Sequence, residues 1–295
     1  MDFAQETTCC QELCGAGEIH AQPSLCRQAK RKVFSLRDNR AMNFLAIECS
    51  SETLSLAASN DLDAWHFESA GGALTSSTLI PECLNGLTQL GLQFSTLEAI
   101  LYGKGPGSFT GLRTACSVAQ GFSYASKIKT LGFDSLLTLA QSARQVSPQF
   151  TKMLCLLDAR MGQLYVGAYE WIDMRWQVIQ SPQLLLPEEV VAPVSWTQSS
   201  LDPPFVVVSN TRLGILETLS TKQGPCVKYE SMHLSPRADA LIELARLYFS
   251  SPENTWASKS DFLLPTPFYL RDKVAQTTLE RLHSRLQSPP KTSKL

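Results

Sequence analysis

Nothing in this 295-residue chain approaches the ~18 consecutive apolar positions that a membrane-crossing helix needs, so no membrane span is expected. A charge excess of either sign is also missing. The 26 Lys and Arg residues stand against 27 Asp and Glu, a formal net charge of -1. That balance excludes the basic footprint of a protein that grips nucleic acid by itself. Histidine is scarce: His20, His66, His233 and His283 are all there are, and no two lie at i, i+4. A histidine-pair metal site on one helix is thereby excluded. There is no Gly-x-Ser-x-Gly elbow and no Gly-Lys-Ser/Thr ending of a P-loop, and no cysteine of the globular part has a histidine close by in sequence. A peptidase reading therefore has no nucleophile–base constellation to rest on.

What is present supports a folded core. Apolar residues make up 44% and charged residues 18%, too apolar a mixture for a disordered chain. The length suits two modest domains or one elaborated α/β domain. Nine cysteines, an odd number without a signal-peptide pattern, point to a reducing, cytoplasmic setting. Cys49, Cys83, Cys116, Cys155 and Cys226 are scattered, mostly in apolar runs, and read as small hydrophobes. Cys9, Cys10, Cys14 and Cys26 crowd the first segment, but Cys10-x-x-x-Cys14 has no second half that would complete a zinc site. Residues 1–41 show no sustained period of 2 or 3.6, whereas a clean strand pattern starts at Met42. The expectation is that 1–41 is a disordered tail or a mis-assigned start, and that Met42 is the natural first residue.

The rest divides into two similar halves. Phe44–Cys49, Thr53–Ser59 and Ala64–Ser69 read as a three-strand meander. A helix follows over about Thr75–Leu90, with Pro81 acceptable only in its first turn. Then come a strand over Leu97–Tyr102, a helix over about Ser108–Ser126, a strand at Thr130–Gly132, and a helix capped by Asp134 or Ser135 and ending near Ala143. After Pro148 the order restarts. Strands are expected at Met153–Leu157, Leu164–Trp171, Trp176–Ile179 and Phe205–Val208, and a helix at Ser235–Phe249. The predicted organisation is an N-terminal lobe over 42–147, a C-terminal lobe over 148–287 and a frayed end at 288–295.

Strand and helix of the first half are joined by Gly103-Lys104-Gly105-Pro106-Gly107-Ser108-Phe109-Thr110-Gly111. Two readings stand. The turn can present N–H groups and a positive helix end to a phosphate or carboxylate, with Lys104, Gly105, Gly107, Ser108, Thr110, Gly111 and Arg113 as the contact set. It can equally serve only to turn the chain tightly. The helix beyond it carries Leu112, Ala115, Cys116, Ala119 and Phe122 on one face, and the preceding helix carries Ile80, Cys83, Leu84 and Leu87. These faces suit either core packing, which the pattern alone favours, or docking of a partner's helices. Glu48 and Asp158 fall at matching strand ends, where paired acids could hold Mg²⁺ beside a nucleotide; a structural role is favoured for both.

Several strings resemble the TsaB (YeaZ-like) family. They are Phe44-Leu45-Ala46-Ile47-Glu48-Cys49-Ser50-Ser51, then Tyr102 through Arg113 with Ala119-Gln120-Gly121, then Asp158 through Tyr165, and finally Pro267-Phe268-Tyr269-Leu270-Arg271. The resemblance covers about residues 43–275. Two departures are visible: the family commonly has Asp-Thr where this chain has Glu48-Cys49, and an acid where it has Gln163.

The resemblance implies a duplicated actin-like, sugar-kinase-like α/β fold with two lobes and mixed sheets. It also implies a part in threonylcarbamoyl transfer to adenosine 37 of tRNAs that read codons starting with A. Family members of this kind pair as a heterodimer with a metal-bearing paralogue, TsaD, through the two first-lobe helices, and the ATPase TsaE joins them. On that reading the chain is a non-catalytic partner. Any ATP or ADP and the metal come through partners, tRNA contact is indirect, and the free subunit can form a homodimer. The competing reading is a nucleotide-dependent transferase or kinase that uses Glu48 and Asp158. Mass analysis of the N-terminus of the native protein is expected to find a species beginning at Met42; a dominant species retaining 1–41 contradicts the assigned start.

Overall fold

The computed structural model describes residues 42–72, 75–197, 205–211, 229–250 and 264–271. The calls on 1–41 and on 288–295 lie outside the described residues. Among the described residues, ten strands form two five-stranded sheets. The first contains β1 (Phe44–Glu48), β2 (Thr53–Ser59), β3 (Ala64–Ala70), β4 (Ala99–Gly105) and β5 (Thr130–Asp134), in the order β3-β2-β1-β4-β5. The second contains β6 (Lys152–Asp158), β7 (Leu164–Ile172), β8 (Arg175–Leu185), β9 (Phe205–Ser209) and β10 (Tyr229–His233), in the order β10-β9-β6-β7-β8. Read from its other edge, the second sheet repeats the first: an antiparallel meander whose opening strand pairs in parallel with the fourth. The duplicated two-lobe α/β fold expected from the restarted pattern is therefore present.

Two-sided burial explains the uninterrupted apolar runs. Along β1, Leu45 and Ile47 face one core while Phe44 and Ala46 face another, as a side-chain period of 2 requires. The first of these cores lies under helices α1 (Thr75–Gln89) and α2 (Phe109–Ser126) on the outer face of the first sheet. The second holds α3 (Ser135–Val146) and α5 (Ala238–Ser250), with side chains from both sheets in one cluster. The α5 helix packs on β1, β2 and β4, although its sequence belongs to the second half. Its first amide, that of Ala238, donates to Ser55 Oγ of β2 at 3.0 Å. The two lobes thus share a core. A third cluster, around Val190, Trp196 and Phe205, covers the other face of the second sheet and includes the one-turn helix α4 (Val194–Thr197).

Some elements differ from the sequence reading. Pro81 sits inside α1, well past its first turn, with its ring exposed to solvent. Asp134 is the cap of α3, accepting from Leu136 N at 2.7 Å and Leu137 N at 3.1 Å; the helix runs on to Val146. The eleven-residue β8 is longer than its apolar core, because pairing with β7 carries polar positions along. The edge strand β10 has no apolar run to betray it: it reads Tyr-Glu-Ser-Met-His and follows the register of β9.

Candidate functional site

The glycine turn is seated on the loop that follows β1. A Cβ at Gly107 would strike the Ser50 carbonyl, and one at Gly111 would strike the Cys49 carbonyl. Ser108 N donates to Ser50 O at 2.7 Å, and Ser108 Oγ accepts from Gly111 N, capping α2. These glycines are required by close backbone approach. Gly105 alone of the turn has a left-handed φ, +114°, and the Phe268 carbonyl lies over it. The Gly105–Pro106 peptide is cis.

Most of the contact set expected for an anion is engaged within the chain. Arg113 stacks on Phe109, 3.7 Å from guanidinium carbon to ring centroid, and its Nε donates to the Tyr269 hydroxyl at 2.9 Å. The Lys104 carbonyl accepts from Phe268 N at 2.6 Å. Gly107, Ser108 and Thr110 line a cleft of about 360 Å³, together with Ser50–Glu52, Asp158–Arg160 and Arg271. Lys104, Gly105, Gly111 and Arg113 do not line it. The charged groups of its wall nearly cancel: Arg160 pairs with Glu52 and Asp158, while Arg271 donates to the Arg160 carbonyl at 3.2 Å and to Gln163 Oε1. Gln163, one of the two departures from the family pattern, thus serves as a neutral acceptor for an arginine.

Glu48 and Asp158 are not brought to one site. Asp158 lines the cleft and accepts from Arg160 N at 2.7 Å. Glu48 is fully buried away from it. Its Oε1 accepts from Ser50 N at 2.6 Å, and its Oε2 packs against Gly103, where any side chain would collide with it. Oε2 has no hydrogen-bond partner among the described residues. Loss of hydration pushes Glu48 up from 4.5 to about 7, against the lowering effect of the Ser50 hydroxyl and of the Ser50 and Cys49 backbone, with a further rise from Asp134. Burial likewise lifts Asp134 to about 6, held back by its bonds to Leu137 N, Leu136 N and the Tyr169 hydroxyl. The residues do not fit a metal bridged by Glu48 and Asp158. The carboxylate of Glu48 lies under β4, against Gly103, instead of in the cleft.

The helix faces also need correction. Cys83, Leu87, Leu112, Ala115, Cys116 and Ala119 are core residues of the first sheet, each 3% exposed or less, and Phe122 is half-buried against them. They are not available to a partner, because the apolar stripe of each helix is what binds it to its own sheet. Ile80 and Leu84 stand outside that stripe, 43% and 45% exposed. On α2 the outward positions are Arg113, Ser117, Gln120, Gly121 and Tyr124, the last 80% exposed. A Cβ at Gly121 would meet nothing within 4 Å. Arg113 was expected only as an anion contact, and sequence reasoning passed over Ser117 and Tyr124, since such positions on a helix look solvated. The Ala119-Gln120-Gly121 string marked the remaining two.

The family described as "TsaD: tRNA N6-adenosine threonylcarbamoyltransferase" matches residues 75–279. The chain belongs to this family, on its TsaB (YeaZ-like) branch. It is 29% identical over 237 residues to the tRNA threonylcarbamoyladenosine biosynthesis protein TsaB of Escherichia coli (strain K12), covering 79% of this chain and 96% of that protein. It is 29% identical over 151 residues to the TsaB of Bacillus subtilis (strain 168), covering 49% and 63%. Among solved structures, YeaZ from Pseudomonas aeruginosa superposes with a TM-score of 0.65 at 26% identity, over 78% of this chain and 100% of that one.

Two outcomes follow from the geometry. Gly111→Ala should cost about 1–3 kcal/mol in chemical denaturation, because Cβ meets a backbone carbonyl that cannot move aside; an unchanged midpoint contradicts the seating. Because Glu48 has a raised folded pKa, its contribution to stability is complete below about 4.5 and is lost as pH rises toward about 7. Glu48→Gln should therefore be more stable than the parent at pH 8, by at most about 3 kcal/mol at ~1.4 kcal/mol per pH unit, and should show no such gain at pH 4.5. A gain independent of pH rules out a buried ionising carboxyl.

Proposed function

We propose that the chain is a TsaB-type subunit of tRNA threonylcarbamoyladenosine biosynthesis that works by docking rather than by catalysis. Its family and its relatives' names support the pathway. The observation that carries the docking role is the outer surface of α1 and α2. Ile80 and Leu84 are exposed apolar side chains on helices whose inner faces are already satisfied by the core. Beside them α2 offers Ser117, Gly121 and Tyr124: small residues allow a second helix to come close, and a large aromatic can anchor it. The partner is a TsaD-type paralogue that brings the metal and the reactive centre, with a TsaE-type ATPase joining the assembly. ATP or ADP and tRNA are engaged through the complex, in the cytoplasm. In the absence of the paralogue the same surface supports a homodimer.

The enzyme reading loses its basis in this chain's own residues. It required Glu48 and Asp158 at one centre, and Glu48 is sealed beneath Gly103. Calorimetry with ATP and Mg²⁺ on the isolated chain separates the readings: metal-dependent binding that disappears in Glu48→Gln restores the enzyme.

Leu84→Arg and Gly121→Arg should each abolish co-purification with the TsaD-type paralogue; Leu84→Arg should shift stability by no more than ~0.5 kcal/mol, as exposed positions do, and Gly121→Arg should raise it by up to ~1 kcal/mol through helix propensity. Ala119→Arg, one turn from the same surface but buried, should instead unfold the chain. Retained co-purification in both exposed variants overturns the docking surface.

A further inference from the structure

Residues 264–271 form neither helix nor strand, yet they are tied down along their whole length. At one end Gln120, on the outward side of α2, donates from Nε2 to the Pro265 carbonyl at 2.5 Å. Thr266 N donates to the Tyr102 hydroxyl at 3.2 Å, and Phe268 N to the Lys104 carbonyl at 2.6 Å, so the segment crosses the end of β4. Tyr269 is clasped by α2: its ring lies 5.3 Å from that of Phe109, and its hydroxyl accepts from Arg113. Leu270 packs on the core between the sheets. At the far end Arg271 holds the Arg160 carbonyl and Gln163 Oε1 in the turn between β6 and β7.

That turn is itself under constraint. Arg160, Met161 and Gly162 have φ of 63°, 55° and 73°, and for the two side-chain-bearing residues such a conformation is strained. The turn is held by Asp158 Oδ1 on Arg160 N, by the Gln163 N–H on the Arg160 carbonyl, by Glu52 on the Arg160 guanidinium, and by Arg271. The exposed Glu52 pair contributes little by itself. Arg271 is therefore the main tie from outside the turn, and Arg271 is positioned by a segment fastened at its other end to α2.

We infer that Leu264–Arg271 is a strap that couples the outer face of α2 to the cleft wall at Arg160–Gln163, so that a partner seated on α2 sets the conformation of the cleft. The strap gives a contiguous chain of hydrogen bonds between a helix surface and a turn held in a sparsely populated backbone state. Displacing Gln120 or Arg113 slackens the strap, releases Arg271 and lets the turn relax. The internal coupling belongs to the free chain; its use by a partner rests on the docking role proposed above.

Hydrogen exchange on the full chain tests the coupling without any partner. In Gln120→Ala the amides of Arg160 and Gln163, both hydrogen-bonded in the parent, should exchange about five-fold faster, the change expected for losing one hydrogen bond's restraint, while α3 and β6 stay unchanged. Arg271→Ala should accelerate the same two amides at least as much. Tyr269→Phe, which removes only a hydroxyl, should give a smaller change of the same sign and guards against an unfolded Gln120 variant. The strap is overturned if Arg271→Ala accelerates the turn and neither α2-side variant does, or if none of the three moves it. Co-purification with the paralogue can persist or fail independently of these rates, so the strap and the docking surface fail separately.

Discussion

Two backbone carbonyls, those of Cys49 and Ser50, form the seat on which the first half of this protein is arranged. The chain after β4 comes close enough to touch them only because positions 107 and 111 carry no side chain. With that contact made, Ser108 bonds to the seat and caps α2 in the same step, which fixes where the helix starts and which way its outer face looks. The cleft inherits its floor from the same contact, since Ser50, Gly107 and Ser108 all line it. The closing segment then lies across Gly105, whose missing side chain leaves room for the Phe268 carbonyl. A single tight strand-to-helix connection thus orients a surface, a cavity and a crossing segment. Its glycines act through sterics, and no charge is needed for that.

The two halves share a strand order and use it differently. The acid closing β1 is folded inward, deprived of water and sealed, while the acid closing β6 stays at the cleft and is balanced by arginine. A longer side chain at the end of a buried strand has reach enough to turn back under its neighbour, and Gly103 provides the space. The wall of the cleft then carries Arg160 paired with Glu52 and Asp158, and Arg271 held by neutral acceptors, rather than a convergent set of acids. Such a lining suits structural closure better than the holding of a divalent cation.

Much of the architecture was legible in the residues because period and punctuation carry it. Alternating or continuous apolar runs marked nine of the ten strands, and the restart after Pro148 disclosed the duplication. The edge strand β10 escaped because its pairing supplies the order that its composition does not. The site was legible at the level of motif and misread at the level of direction. Helical periodicity identifies the stripe that a helix buries, and for α1 and α2 that stripe belongs to their own sheet. The pattern alone favoured core for Cys83, Leu112 and Ala119, and they are buried; only the resemblance put them at a partner interface, and Tyr124 went unnoticed. The inward fold of Glu48 was equally invisible, since it depends on a glycine 55 positions further along the chain that only the parallel pairing of β1 with β4 brings alongside.

Gly121 gives this arrangement a thermodynamic asymmetry. A glycine inside a helix costs about 0.5–1 kcal/mol relative to alanine, through the extra freedom it surrenders on folding. Elsewhere in the chain that cost is offset where it arises: Gly107 and Gly111 fill a space no other residue could occupy. At Gly121 the space is open, and nothing among the described residues makes use of the missing side chain. Among the described residues that cost has no internal return. In the complex proposed above, the approach of a partner's backbone to α2 would recover it, and part of the folding free energy would then reside in the assembly.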